Sequence, residues 1–212
     1  WLATTPHPVT LFVIADLFES EEFGEWFNAL LAKHGERLTV GCHGLTHRSW
    51  SAWPEDGEGF EASLKQATAV LKEKAGGHFR PWFRAPAGYI APWMATTLAG
   101  QGYTVDSSVN PSWLVRKKAG KGNSWADVND AMAQQGVLER PWATRFSLPV
   151  NGPALTKFPL SVIARGVWKK APSVLTGSEL DAAVPDSTQP LVTLYWHVLD
   201  HSRNKAAWTP PL

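Results

Sequence analysis

The sequence predicts an α/β fold built on a parallel sheet, and three observations carry that expectation. Short apolar runs rich in β-branched residues alternate with segments of helical periodicity. The first run, Val9 to Ala15, is apolar throughout save for Thr10, as in a strand covered on both faces. Most of the reactive side chains fall just after the ends of these runs, where such folds collect their functional groups.

The elements follow in order. Trp1 to Pro8 has little pattern of its own, and Val9 to Ala15 is the first strand. Glu21 to His34 reads as a helix, with Phe23, Trp26, Phe27, Leu30 and Leu31 on one face, acids in the first turn and Gly35 as its stop. Arg37 to Gly41 is a second strand, ending at Cys42-His43. Glu58 to Lys74 places Phe60, Leu64, Ala67 and Leu71 at helical spacing and stops at Gly76-Gly77. Phe79 to Arg84 is a third strand running into a Pro86/Gly88 turn. Pro92 to Gly100 is a short helix, and Thr104 to Val109 a fourth strand. A short helix is expected near Asp127 to Gln135, and Leu191 to Trp196 is a strong last strand. No repeat or low-complexity tract interrupts this order.

Composition narrows the function. The 212 residues fit a single domain, 1–212, able to bury roughly 70 % of its unfolded surface. A net charge of +1 points to no nucleic-acid groove and no polybasic membrane patch. No apolar stretch approaches the roughly 20 residues that span a bilayer. One cysteine, Cys42, excludes an intrachain disulfide. Twelve tryptophans are the compositional oddity; Trp fills cores, but its flat ring also suits the C–H face of a sugar.

Four strand ends carry candidate chemistry. His43 and His47 stand four residues apart after the second strand, a spacing that can chelate one ion, and imidazole suits Zn, Co or Ni. Two exposed loop histidines would show the same spacing. A catalytic zinc needs a third ligand, and Asp16, after the first strand, is the nearest strand-end carboxylate. Arg84 closes the third strand before a rigid turn and could fork onto a carboxylate, or lie on the surface. His197 ends the last strand, where a histidine can serve as general acid or base or simply cap a core strand. Asp106 falls inside the fourth strand. Asp200 and His201 could support His197 from behind, but read first as a solvated loop.

Together these motifs resemble the polysaccharide deacetylase (NodB-homology, carbohydrate esterase 4-like) family. His43-Gly-Leu-Thr-His47 resembles its paired-histidine motif, and Phe83-Arg84-Ala85-Pro86-Ala87-Gly88 its Arg-x-Pro-x-Gly motif. Gly102-Tyr103 with Val105-Asp106-Ser107-Ser108 resembles the next family strand in its exopolysaccharide-linked branch, and Leu194-Tyr195-Trp196-His197 its last motif. The likeness covers about Val9 to Asn110 and Leu191 to Asp200. It implies a distorted (β/α)7-type barrel and a metal-dependent removal of acetyl groups, N-acetyl first, from a polysaccharide or amino sugar. His43 and His47 would hold one divalent ion, Zn before Co or Ni; Arg84 would hold a carboxylate base; His197 would protonate the leaving group. Trp50, Trp113 and Tyr89 are the candidate substrate-binding residues, with Trp53 another possible sugar platform.

Two departures shape the expectation. The family's Thr-Phe-Asp-Asp motif, source of the base and third ligand, is not in these 212 residues. The first strand and its Asp pair are therefore expected in a segment upstream of Trp1, with Asp16 as fallback ligand. Asn110 stands near where many members carry an Asp that tunes the catalytic histidine. Residues 116–190 match little and are expected as a loop-rich insert over the cleft. The family's habit favours the cell envelope or secretion. A non-catalytic carbohydrate-binding protein on the same fold, or an unrelated α/β metal amidase using Asp16, are the competing readings.

Overall fold

The computed structural model describes residues 2–3, 7–170, 175, 177–202 and 210. Five parallel strands form the main sheet: β1 (Val9–Val13), β2 (Leu38–Cys42), β3 (Phe79–Phe83), β4 (Val105–Asp106) and β5 (Leu138–Glu139). Their spatial order is their chain order, the winding of a barrel wall. Helices α1 (Glu21–His34), α2 (Gly57–Ala75), α3 (Met94–Gly100) and α4 (Trp125–Gln134) make the crossovers. A hairpin, β6 (Thr144–Arg145) with β7 (Leu148–Pro149), and helices α5 (Leu160–Trp168) and α6 (Gly177–Ala183) follow.

Local sequence explains the helices. Ser20 caps α1 by accepting the Phe23 N–H (3.3 Å), and Asp56 caps α2 by accepting that of Gly59 (2.9 Å). α2 buries Phe60, Leu64, Ala67 and Leu71, the predicted face, and ends at Gly76, whose φ of +51° suits glycine. Phe60 is the hinge of the main core: its ring meets Trp50, Phe83 and Trp93 edge-on at 5.5–6.0 Å. A smaller core of Val150, Ala154, Leu155, Ala164 and Trp168 lies under α5.

Several expectations need correction. β1 was expected buried on both faces, but only Val13 is buried, because β1 is an edge strand of this sheet. β4 is shorter than expected: the Ser108 and Val109 N–H groups go to the side chains of Asp106 (3.2 Å) and Glu139 (3.2 Å), not to a ladder. Leu191 to Trp196 forms no strand, only one parallel bridge from Thr193 to Trp142. Beyond the two-residue β5 the chain offers it loops instead of a strand. Its backbone is held piecemeal, with Ala143 N–H donating to Thr193 O (2.9 Å) and Gly152 N–H to Tyr195 O (3.0 Å). Among its described residues, the stretch 116–190 holds the fifth strand, a hairpin and the helices α4, α5 and α6 as well as loops.

Truncating the core hinge tests this packing. Phe60→Ala should lose roughly 3–5 kcal/mol of unfolding free energy, read by chemical denaturation. A loss below about 1 kcal/mol would contradict the three ring contacts.

Candidate active site

The carboxyl ends of the strands stand in register. Val13 pairs with Cys42, Cys42 with Phe83, Phe83 with Asp106, and Asp106 with Glu139. The next residue along each strand therefore forms a second row: His43, Arg84, Ser107 and Arg140. Each donates its backbone N–H to the neighbouring strand: His43 to Val13 O (2.9 Å), Arg84 to Cys42 O (2.9 Å), Ser107 to Phe83 O (2.9 Å) and Arg140 to Asp106 O (2.8 Å). Side chains tie the row together again, as follows.

His43 Nδ1 lies 2.7 Å from Arg84 O. A carbonyl oxygen only accepts, so Nδ1 carries the proton and Nε2 keeps its lone pair. Burial pushes the His43 pKa down to about 3, and the charges of Arg84, His47 and His197 act in the same direction. The ring is thus neutral at pH 7, the state a metal ligand needs. The His47 ring is 5.3 Å away, centroid to centroid, and tilted by 65°. The two imidazoles thus stand side by side at the end of β2. Asp16 does not complete the set: among the described residues no three His, Cys, Asp or Glu side chains gather as a metal site. Asp16 instead sits in a 3-10 turn, Ala15–Glu19, its N–H bound to Leu45 O (2.9 Å), so it braces the histidine loop through backbone.

Arg84 points along the row. Its Nε donates to Ser107 O (3.0 Å) and its Nη2 to Ser107 Oγ (2.9 Å), while Ser107 Oγ–H donates to Arg140 O (3.0 Å). The guanidinium faces the rings of Phe12 (4.4 Å), Tyr195 (5.1 Å) and Trp142 (5.5 Å). Burial lowers its pKa to about 10, so it stays charged at neutral pH. Phe12 reaches this cage by lying across Gly41, where any Cβ would come within 2.6 Å of its ring.

The last segment joins through Trp142. Its indole N–H donates to Ser107 O (2.7 Å), and its ring packs on Tyr195 at 4.3 Å. Tyr195 in turn meets the His197 ring edge-on at 5.6 Å. Asp200 is fully buried, not part of a solvated loop; its Oδ2 accepts the His197 N–H (3.1 Å) and lies 3.7 Å from His197 Nδ1. The carboxylate beside His197 is therefore Asp200. Asn110 is buried and accepts the Ser112 N–H (3.1 Å), the work of a turn. The side chain of His201 lies outside the described residues.

The aromatic candidates divide. Trp50 is only 6 % exposed, wedged on Phe60 with Arg48 over its ring at 3.9 Å, so its face is not open to a sugar. Trp113 and Trp53 are 61 % and 64 % exposed. Tyr89 is half-buried, with Lys118 Nζ 5.3 Å from its ring. Ser107, Trp142 and Tyr195 were not anticipated as parts of the site. Ser107 follows a strand end as His43 and Arg84 do, but a serine there carries no chemical signal in sequence.

The lowered pKa of His43 has a signed consequence. The unfolded chain takes up a proton near pH 6.5 that the folded chain refuses until about pH 3. Stability of the metal-free protein should therefore fall as pH drops below 6.5, and His43→Gln should remove that share of the loss. Denaturation curves from pH 7 to 4 check it; parallel slopes for wild type and variant would count against it.

Comparison with known proteins adds the family. Residues 1–105 match the family model for polysaccharide deacetylase. Comparison with curated proteins gave no match. Among solved structures, one from Mycobacterium smegmatis described as a polysaccharide deacetylase is similar at 18 % identity and a TM-score of 0.49, covering 90 % of this chain. IcaB from Ammonifex degensii is similar at 22 % identity and a TM-score of 0.43, covering 66 % of this chain. The chain spans 58 % of the length of each of these two proteins. With both motifs of the matched region, the histidine pair and the Arg84 turn, now standing side by side, residues 1–105 of this chain belong to the polysaccharide deacetylase family.

Proposed function

We propose that this chain forms most of the active site of a metal-dependent carbohydrate deacetylase, a hydrolase that removes acetyl groups, N-acetyl first, from a polysaccharide or amino sugar. The observation that carries the reading is the His43 Nδ1–H bond to Arg84 O, which leaves Nε2 free to bind beside His47. This is how ligating histidines are usually fixed, by a partner on the other ring nitrogen.

A divalent ion held there, Zn before Co or Ni, supplies Lewis-acid activation of water and of the acyl carbonyl. Arg84 keeps its charge inside an aromatic cage, where a carboxylate base brought beside it would be held ionised and oriented. His197 gives a proton to the leaving amine or alcohol, and Asp200, beside its Nδ1, keeps the ring in place. Exposed Trp113 and Trp53 offer flat faces to a sugar. The cell envelope or the outside of the cell is the expected setting.

The test uses the full-length protein. It should bind one ion and release acetate from N-acetylglucosamine oligomers. His43→Ala or His47→Ala should abolish both, while His197→Ala should keep the metal and lower kcat by roughly 10²–10⁴-fold. Glycan binding with neither metal nor acetate release would overturn the deacetylase and favour a carbohydrate-binding protein.

A further inference from the structure

We propose that Asp106 and Ser108 are positioning residues for His43, acting through the single peptide group that joins Arg84 to Ala85. The proposal rests on the reading of His43 as a metal ligand. Its geometry is a series of three hydrogen bonds. Ser108 Oγ–H donates to Asp106 Oδ1 (2.6 Å), Ala85 N–H donates to Ser108 Oγ (2.8 Å), and His43 Nδ1–H donates to Arg84 O (2.7 Å). The last two bonds engage opposite edges of one rigid, planar peptide. Turning that plane would break both at once. Ser108 thus fixes, from behind, the carbonyl that sets the tautomer and direction of the His43 ring.

The relay is itself firmly seated. Ala85, Asp106 and Ser108 are fully buried, and Asp106 Oδ2 takes the Ser108 N–H as well (3.2 Å). Glu139 lies opposite Asp106 in the sheet register. Two adjoining buried carboxyls do not both ionise: burial, then the charge of Asp106, raise Glu139 well above the carboxylate range, so Glu139 holds the proton. Burial raises Asp106 too, but its two bonds from Ser108 oppose that shift, so Asp106 is the more readily ionised of the pair. Hydrogen bonds in series polarise one another. A charged acceptor at the Asp106 end therefore makes Arg84 O a better acceptor and His43 Nε2 a better donor of its lone pair. Ser107, one residue earlier, grips the Arg84 side chain, so the two serines divide the work.

Two measurements on the full-length protein test this. The ring nitrogen shifts of His43 in the metal-free protein report its tautomer, and Zn²⁺ titration reports affinity. Wild type should show His43 as the Nδ1–H tautomer alone. Ser108→Ala should mix the tautomers and weaken Zn²⁺ binding about 10-fold, leaving the His47 resonances in place. Asp106→Asn retains an acceptor for the Ser108 hydroxyl without its charge; it should keep the tautomer and still weaken Zn²⁺ binding severalfold. If Ser108→Ala does not fold, Asp106→Asn decides. Folded variants with wild-type tautomer and wild-type Zn²⁺ affinity would overturn the relay. A wild type that binds no Zn²⁺ would overturn the deacetylase reading instead, and the tautomer of Ser108→Ala would still decide whether the relay exists.

Discussion

The register of the parallel strands governs everything near the site. Val13, Cys42, Phe83, Asp106 and Glu139 end the strands side by side, so the following residues must also line up. Parallel strands demand this: each N–H after a strand end bonds back to the preceding strand, and four such bonds of 2.8–2.9 Å stitch His43, Arg84, Ser107 and Arg140 into one row. Alternation does the rest. Side chains of the first row turn toward the helix-covered core, where Phe83 meets Phe60 and Asp106 stands beside Glu139, and those of the second row take up the site. A one-residue slip in any strand would exchange the two sets.

From that row the site is assembled by contacts of decreasing rigidity. The His43 half is built on main chain, His43 to Arg84 O, and backed by Ser108 and Asp106. The His197 half is attached by side chains, from Ser107 through Trp142 and Tyr195 to His197. Arg140 reinforces that attachment from the other side. Its guanidinium donates to Val184 O (2.8 Å), Ala183 O (2.9 Å) and Gln189 O (2.9 Å), gathering the loop that leads into the His197 segment. This arrangement fixes the direction of the His43 ring from the sheet, and leaves His197 on a segment held by loops.

Much of this was legible in the sequence. Helices α1 and α2 carried a helical period and glycine stops that agreed with one another, and both came out within a residue of expectation. The placement of His43 and Arg84 just after strand ends was legible because the apolar runs before them end where β2 and β3 do. What escaped depended on distant partners. Leu191 to Trp196 has the composition of a strand, but a strand needs a neighbour of matching length, and none is described there. Asp200 sits in a polar stretch whose burial follows only from where the chain returns. Trp50 shows the same limit: an indole reads alike as core or platform, and Phe60 and Arg48 enclose it here.

The central claim is that His43 and His47 share one metal ion, with His43 bound through Nε2. Anomalous diffraction from crystals of the full-length protein grown with Zn²⁺ tests it most directly. The account predicts one strong peak within bonding distance, roughly 2.0–2.1 Å, of both imidazoles, with His43 Nδ1 still on Arg84 O. A peak on His43 Nδ1, or strong peaks only elsewhere, would contradict it.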